Sequence, residues 1–208
     1  MESHDHTAVV LVDPYNDFLH PDGKLYPAVK DSLQASDSIK HMKRLVEVAR
    51  AAHIPIYYGL HKQYKEGFYD GWHRMTSSHI RTKKLHVFEE GSFGVNIYEG
   101  MEPDIENGDV IASKHWNSSS FANTDLDYLL RQRNITKVVC AGMASTTCLE
   151  STARYARELG YDVTLLSDAT AGFSIAANDA AVNLVWPLIV DRVLTVEEWA
   201  ASVAGSKL

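Results

Sequence analysis
A chain of 208 residues with 45% hydrophobic and 23% charged residues has globular composition and enough length for a core that needs no staples. Its net charge of -7 rests on Lys and Arg scattered along the chain, which excludes the clustered basic face of a nucleic-acid binder. Only two cysteines, Cys140 and Cys148, are present, so a disulfide framework is excluded and a reducing compartment expected; no apolar run is long enough to span a membrane.

In chain order, Thr7–Val12 is a continuous apolar run with β-branched residues, the pattern of a strand buried on both faces. It starts too early to leave room for a signal peptide. Asp13-Pro14 ends it, because the proline removes a donor and disfavours helix at Asp13. A loop with Pro21, Gly23 and Pro27 is expected over 19–28. A helix is expected over 36–52, where Ile39, Met42, Leu45, Val46 and Ala49 recur at helical spacing. Residues 53–59 make a second strand. Residues 62–108 are irregular and rich in aromatics, as in a functional lid or insert. A third strand over 109–113 ends at Lys114, and a helix with Leu126, Leu129 and Leu130 on its buried stripe follows over 124–133.

The fourth strand, 137–142, runs through Cys140 into Gly142-Met143-Ala144-Ser145-Thr146-Thr147-Cys148, where a helix begins and continues to Gly160. A fifth strand over 161–167, a helix over 176–184, an interruption at Pro187, a short strand over 192–195 and a last helix over 197–203 complete the chain. Alternating strands and helices predict one α/β domain over 1–208. It has three layers, α/β/α, around a mostly parallel, Rossmann-like sheet of about six strands. Sites in such sheets lie at the carboxyl ends of the strands. The last three residues, Ser206-Lys207-Leu208, match a peroxisomal address, so the expected location is cytoplasmic, or peroxisomal in a eukaryote.

Asp13, Lys114 and Cys148 each follow a strand, so all three fall on one edge of the sheet. Each also has a plain alternative: an Asp before Pro forms turns, a Lys after a strand is solvated, and a free Cys packs in cores. Their common location favours chemistry. Cys148 at a helix start is expected to favour thiolate and act as nucleophile. Asp13 would carry the proton and Lys114 would balance the charge. The backbone N–H groups of Ala144 and Cys148 would receive an oxyanion.

The chain resembles the isochorismatase-like cysteine hydrolases, which include nicotinamidase and N-carbamoylsarcosine amidase. The resemblance is carried by Val12-Asp13-Pro14-Tyr15-Asn16-Asp17-Phe18, Ser113-Lys114, Gly142 to Cys148, Gly160-Tyr161-Asp162-Val163 and Ser167-Asp168-Ala169. It implies the isochorismatase-like fold, an Asp13–Lys114–Cys148 triad, a cis peptide at Met143–Ala144, and a site near a subunit interface of a homo-oligomer, a dimer or tetramer. Nicotinamidase-like members bind a metal through an Asp-x-His pair; here Gly59-Leu60-His61 lacks the carboxylate, and His61, His73, His79 and His86 fit no compact ligand set. No metal or cofactor is therefore expected. The implied activity is metal-independent hydrolysis of a small amide or ureido compound through a thioester. Release of pyruvate from a vinyl ether and a catalytically idle interaction protein are the alternatives. Tyr15, Phe18, His61, Trp72, Trp116 and Phe121 are the candidate substrate-binding residues.

Overall fold
The computed structural model describes residues 6–205. Six parallel strands form one sheet: β1 (Thr7–Val12), β2 (Ile56–Gly59), β3 (Val110–Ile111), β4 (Lys137–Met143), β5 (Asp162–Ala171) and β6 (Arg192–Leu194). Their spatial order is β3-β2-β1-β4-β5-β6. Chain direction across the sheet therefore reverses between β1 and β4, which opens a crevice at their carboxyl ends.

Side-chain alternation splits the core in two. Val9, Leu11, Val139, Ala141 and Met143 face one layer, built from α2 (Tyr26–Ala35), α3 (Ser38–Ala51) and α9 (Val196–Gly205). Ala8, Val10, Val12, Val138 and Cys140 face the other, with α5 (Leu126–Gln132), α6 (Glu150–Glu158) and α8 (Trp186–Ile189). β1 is buried along its whole length because both layers cover it, and each fully buried aliphatic side chain there contributes about 1.5–3 kcal/mol. Three short or peripheral helices remain: α1 (Asn16–Leu19), α4 (Ser77–Leu85) and α7 (Ile175–Ala180). Among the described residues no helix is long and apolar enough to cross a membrane. Ser206-Lys207-Leu208 lie outside the described residues.

Three elements differ from the sequence-based expectation. Residues 26–28, expected in a loop, open helix α2, because Pro27 sits in its first turn, where its missing donor costs nothing. Pro187 likewise opens α8 rather than breaking a helix. β5 runs on to Ala171 because a register shift against β4 between Cys140 and Gly142 re-pairs Gly142 with Thr170, whose hydroxyl donates to the Gly142 carbonyl at 2.7 Å.

Residues 62–108 carry more structure than their irregular pattern suggests. Thr76 caps α4 by accepting from the His79 N–H, and the His79 ring accepts from the Thr76 N–H. The other ring nitrogen, Nε2, then carries the proton and donates to the Trp116 carbonyl at 2.8 Å, tying α4 to the loop after β3. Asp17 anchors the same segment from the other side, accepting from the N–H groups of Phe88 at 2.6 Å and Lys24 at 3.0 Å.

Candidate active site
β1 delivers Asp13 and β4 delivers the turn that leads to Cys148, on the two sides of the crevice. Asp13 leaves the strand in a left-handed conformation, φ 49°, and its carbonyl accepts the Tyr15 N–H across Pro14 at 2.7 Å, a three-residue turn. Gly142 has φ 113°, and a Cβ on it would fall 2.0 Å from the Val12 carbonyl oxygen. The Met143–Ala144 peptide is cis. Residues Ser145–Leu149 form a wide π-type turn that runs into α6, and Cys148 lies in it, half-buried.

The Asp13 side chain is fully buried. Its Oδ1 accepts the His61 backbone N–H at 2.6 Å, and Oδ2 has no well-formed hydrogen bond. Cys148 lies against this carboxylate. Burial first, then the charge of Asp13 and a thiol–carboxylate hydrogen bond, push the Cys148 thiol well above its ordinary range. The Thr147 hydroxyl and the Ala144 backbone pull the other way and do not prevail. The resting group is thus a thiol facing a base. The thiolate expected from the helix start is not what this environment favours, since helix-end charge is small beside burial and an adjacent anion. Cys140, on the covered face of β4, is pushed up to about 12 by burial alone.

Lys114, the expected cation, is partly exposed, and among the described residues no hydrogen bond or ion pair joins it to Asp13 or Cys148. The next residue, His115, points inward instead: its side chain is fully buried and its Nε2 lies 3.3 Å from Asp13 Oδ1. Successive side chains of extended chain point to opposite sides, so one residue decides which reaches the site. His115 is pinned by its N–H to the Leu60 carbonyl at 2.9 Å and by its own carbonyl, which accepts from the Lys62 N–H at 2.7 Å.

Cys148 opens onto a cavity of about 220 Å³, room for on the order of ten non-hydrogen atoms. Of the six substrate-binding candidates, Phe18 and His61 line it. The other four do not. Tyr15 is fully buried behind it, tilted against Phe88, with its hydroxyl donating to the His61 carbonyl at 3.1 Å. Trp72 packs outside against Tyr69, His79 and Trp116. Trp116 lines a neighbouring groove with Arg154 and Tyr155, and Phe121 is core, against Tyr155 and Tyr161. Arg81 and Phe173, which the sequence analysis did not single out, both line the cavity, with the guanidinium 5.0 Å from the Phe173 ring centre. The signal for Arg81 was its place in α4, hidden because the helix itself was not expected.

His61 is 2% exposed, its Nδ1 donates to the Lys62 carbonyl at 2.8 Å, and its Nε2 has no partner. Burial, reinforced by the charge of His115, lowers it to about 4, so it is a neutral ring offering a bare acceptor. A metal does not fit these residues: both His79 nitrogens are committed to the cap and the Trp116 carbonyl. No three His, Cys, Asp or Glu side chains among the described residues are grouped as ligands.

A six-stranded parallel sheet covered on both faces, with an acid and a cysteine across its switch point, is the architecture of an isochorismatase-like hydrolase. The isochorismatase domain family matches residues 7–198, and the chain belongs to that family. It is 31% identical over 210 residues to the ureidoacrylate amidohydrolase RutB of Azorhizobium caulinodans, covering 96% of this chain and 88% of that protein. To the RutB of Agrobacterium fabrum it is 32% identical over 174 residues, 79% and 75% of the two chains. A cysteine hydrolase from Pseudomonas syringae pv. phaseolicola superposes with a TM-score of 0.81 at 25% identity, covering 99% of this chain and 95% of that one.

Proposed function
We propose that this amidase-type hydrolase cleaves a C–N bond of a small ureido or amide compound by way of a Cys148 thioester. The observation that carries the reading is the buried Asp13 carboxylate, one oxygen left open, set against a Cys148 that keeps its proton at rest. As sulfur attacks the carbonyl carbon, Asp13 takes the thiol proton, and the oxyanion forms at the backbone N–H groups of Ala144 and Cys148. Collapse breaks the C–N bond, and Asp13 returns the proton to the leaving nitrogen, which departs as ammonia or an amine. Asp13 then deprotonates a water that attacks the thioester, releasing the acid and restoring the thiol.

The cavity supports a substrate with two different ends. The bare Nε2 of His61 suits an amide or ureido N–H. Arg81 has no carboxylate partner among the described residues and can meet a substrate carboxylate at the rim. An acrylate bearing a ureido group, the substrate named for the RutB relatives, has both. The test is a panel of small amides and ureides, with and without a carboxylate, assayed for ammonia release. Cys148→Ala should abolish turnover at an unchanged thermal midpoint; an active Cys148→Ala protein would sink the thioester route.

A further inference from the structure
We infer that Thr147 is a further catalytic residue: its hydroxyl is the donor that meets the Cys148 sulfur while sulfur is an anion, before attack and again when the thioester breaks. The inference deepens the reading above and rests on it for its link to turnover. It starts from the hydroxyls of the turn. Residues Ser145–Leu149 carry three, and only one faces the cavity. Ser145 is fully buried and turned toward Gly172, just past β5; a Cβ on Gly172 would fall 2.7 Å from its Oγ. Thr146 is exposed to solvent. Thr147 is half-buried and lines the cavity together with Cys148. Its Oγ1 lies 4.0 Å from the Cys148 Sγ.

Two acceptors are within reach of that hydroxyl, and one is already full. The Ala144 carbonyl, 3.5 Å from Oγ1, accepts the Thr147 N–H at 3.1 Å and the Leu149 N–H at 3.2 Å, one for each lone pair. The other acceptor is the sulfur. A contact of 4.0 Å is long, as suits a resting thiol, which accepts only weakly. Charge on sulfur would shorten it, since catalytic hydrogen bonds that are loose at rest tighten as charge develops. Burial and the Asp13 carboxylate oppose that charge; the Thr147 hydroxyl favours it. When Asp13 takes the thiol proton, the Thr147 O–H turns to the thiolate. Once the C–S bond has formed, sulfur carries no charge and the donor is released. When water has added to the thioester and the C–S bond breaks, the electron pair returns to sulfur. The hydroxyl meets it again until Asp13 hands the proton back. Thr147 gives up no proton of its own at any point.

Alkylation of Cys148 by iodoacetamide, read peptide by peptide in a mass spectrometer, tests this without a substrate. Thr147→Val keeps the shape of the side chain and removes the hydroxyl. Its alkylation rate near neutral pH should fall about tenfold, the worth of one hydrogen bond to a charged group. Thr147→Ser keeps the hydroxyl and should stay within about twofold of wild type. A merely structural role has the opposite sign, because a loosened turn exposes Cys148 and speeds the reaction. Alkylation of Thr147→Val as fast as wild type, or faster, would overturn the inference, as would a Thr147→Ser as slow as Thr147→Val. Should Thr147→Val fail to fold, Thr147→Ala removes the same hydroxyl and is read by the same outcomes. In turnover, Thr147→Val should lower kcat about tenfold at a nearly unchanged KM, and Thr147→Ser should restore it. A panel in which no amide is turned over, or an active Cys148→Ala, would sink the thioester reading and leave the alkylation outcomes untouched. Wild-type alkylation of Thr147→Val beside intact turnover would sink the inference alone.

Discussion

Two carboxylates are buried at opposite ends of the same sheet, and they are treated in opposite ways. Asp109 precedes β3, at the amino edge. It accepts from the N–H groups of Ile56 at 2.9 Å and Asp104 at 2.9 Å, from the Asn107 amide at 2.8 Å, and from Arg50 at 3.1 Å. Asp13 ends β1, at the carboxyl edge. It has one good hydrogen bond, an off-line imidazole, and the Cys148 thiol. A buried charge surrounded by donors fastens its neighbours; one left short of donors is available for reaction. Burial alone therefore says nothing about role. The number of donors separates the knot from the site.

Exchanging Asp for Asn at each end should split the two roles. Asp13→Asn removes the proton acceptor, and kcat/KM for ammonia release should fall by roughly 10³-fold, within the range for loss of a general base. Its thermal midpoint should stay within a few degrees of wild type, because few donors lose a partner. Asp109→Asn should do the reverse. An NH₂ group would replace an acceptor among four donors and the Arg50 pair would be lost, costing about 3 kcal/mol or more in denaturant unfolding. Activity per folded molecule should be unchanged. Equal effects of the two exchanges on stability would remove the distinction.

How much of this was legible follows from where each group sits. β1 and β4 are apolar runs, so the end of β1 at Val12 was placed to the residue and that of β4 within one, at Met143 rather than Gly142, while Cys148 lies in the turn before α6 and not at its start. β3 is only Val110–Ile111, in a stretch that is apolar through Ala112. With no alternation to fix its register, nothing distinguished inward from outward at Lys114 and His115. The donors of Asp109 come from residues up to 59 positions away, a distance over which local pattern carries no signal. The aromatic residues misled for a related reason. Tyr15 and Phe121 have the composition of a pocket wall and the burial of a core, and only packing tells these apart.

The two histidines beside Asp13 carry the comparison into pH. His61 is lowered to about 4 by burial, against an ordinary value near 6.5. Below about 6.5 the unfolded chain takes up a proton there that the folded protein refuses until near 4. Stability must therefore fall as pH drops through that window, by about 3 kcal/mol from this residue at the lower end. His61→Asn keeps a donor for the Lys62 carbonyl and does not titrate. The difference between wild-type and variant unfolding free energies should change by that amount between pH 7 and pH 4. A pH-independent difference would mean that His61 is not held neutral.

The smallest effect belongs to Arg81, because it stands at the rim and not among buried partners. Its guanidinium lies over Phe173 and is exposed to solvent, so its attraction for a substrate carboxylate is screened. Arg81→Ala should raise KM for a carboxylate-bearing ureide about five- to tenfold and leave kcat close to wild type, since the contact is made equally in ground and transition states. The same variant should leave a neutral amide of similar size unaffected. The wild-type preference for the charged substrate should shrink as salt is raised, and the variant's should not. A loss in kcat at saturating substrate would place Arg81 with Asp13, among groups that act on the reacting bond. A KM effect alone keeps it where the exposure puts it, as the selector of which small molecules reach Cys148.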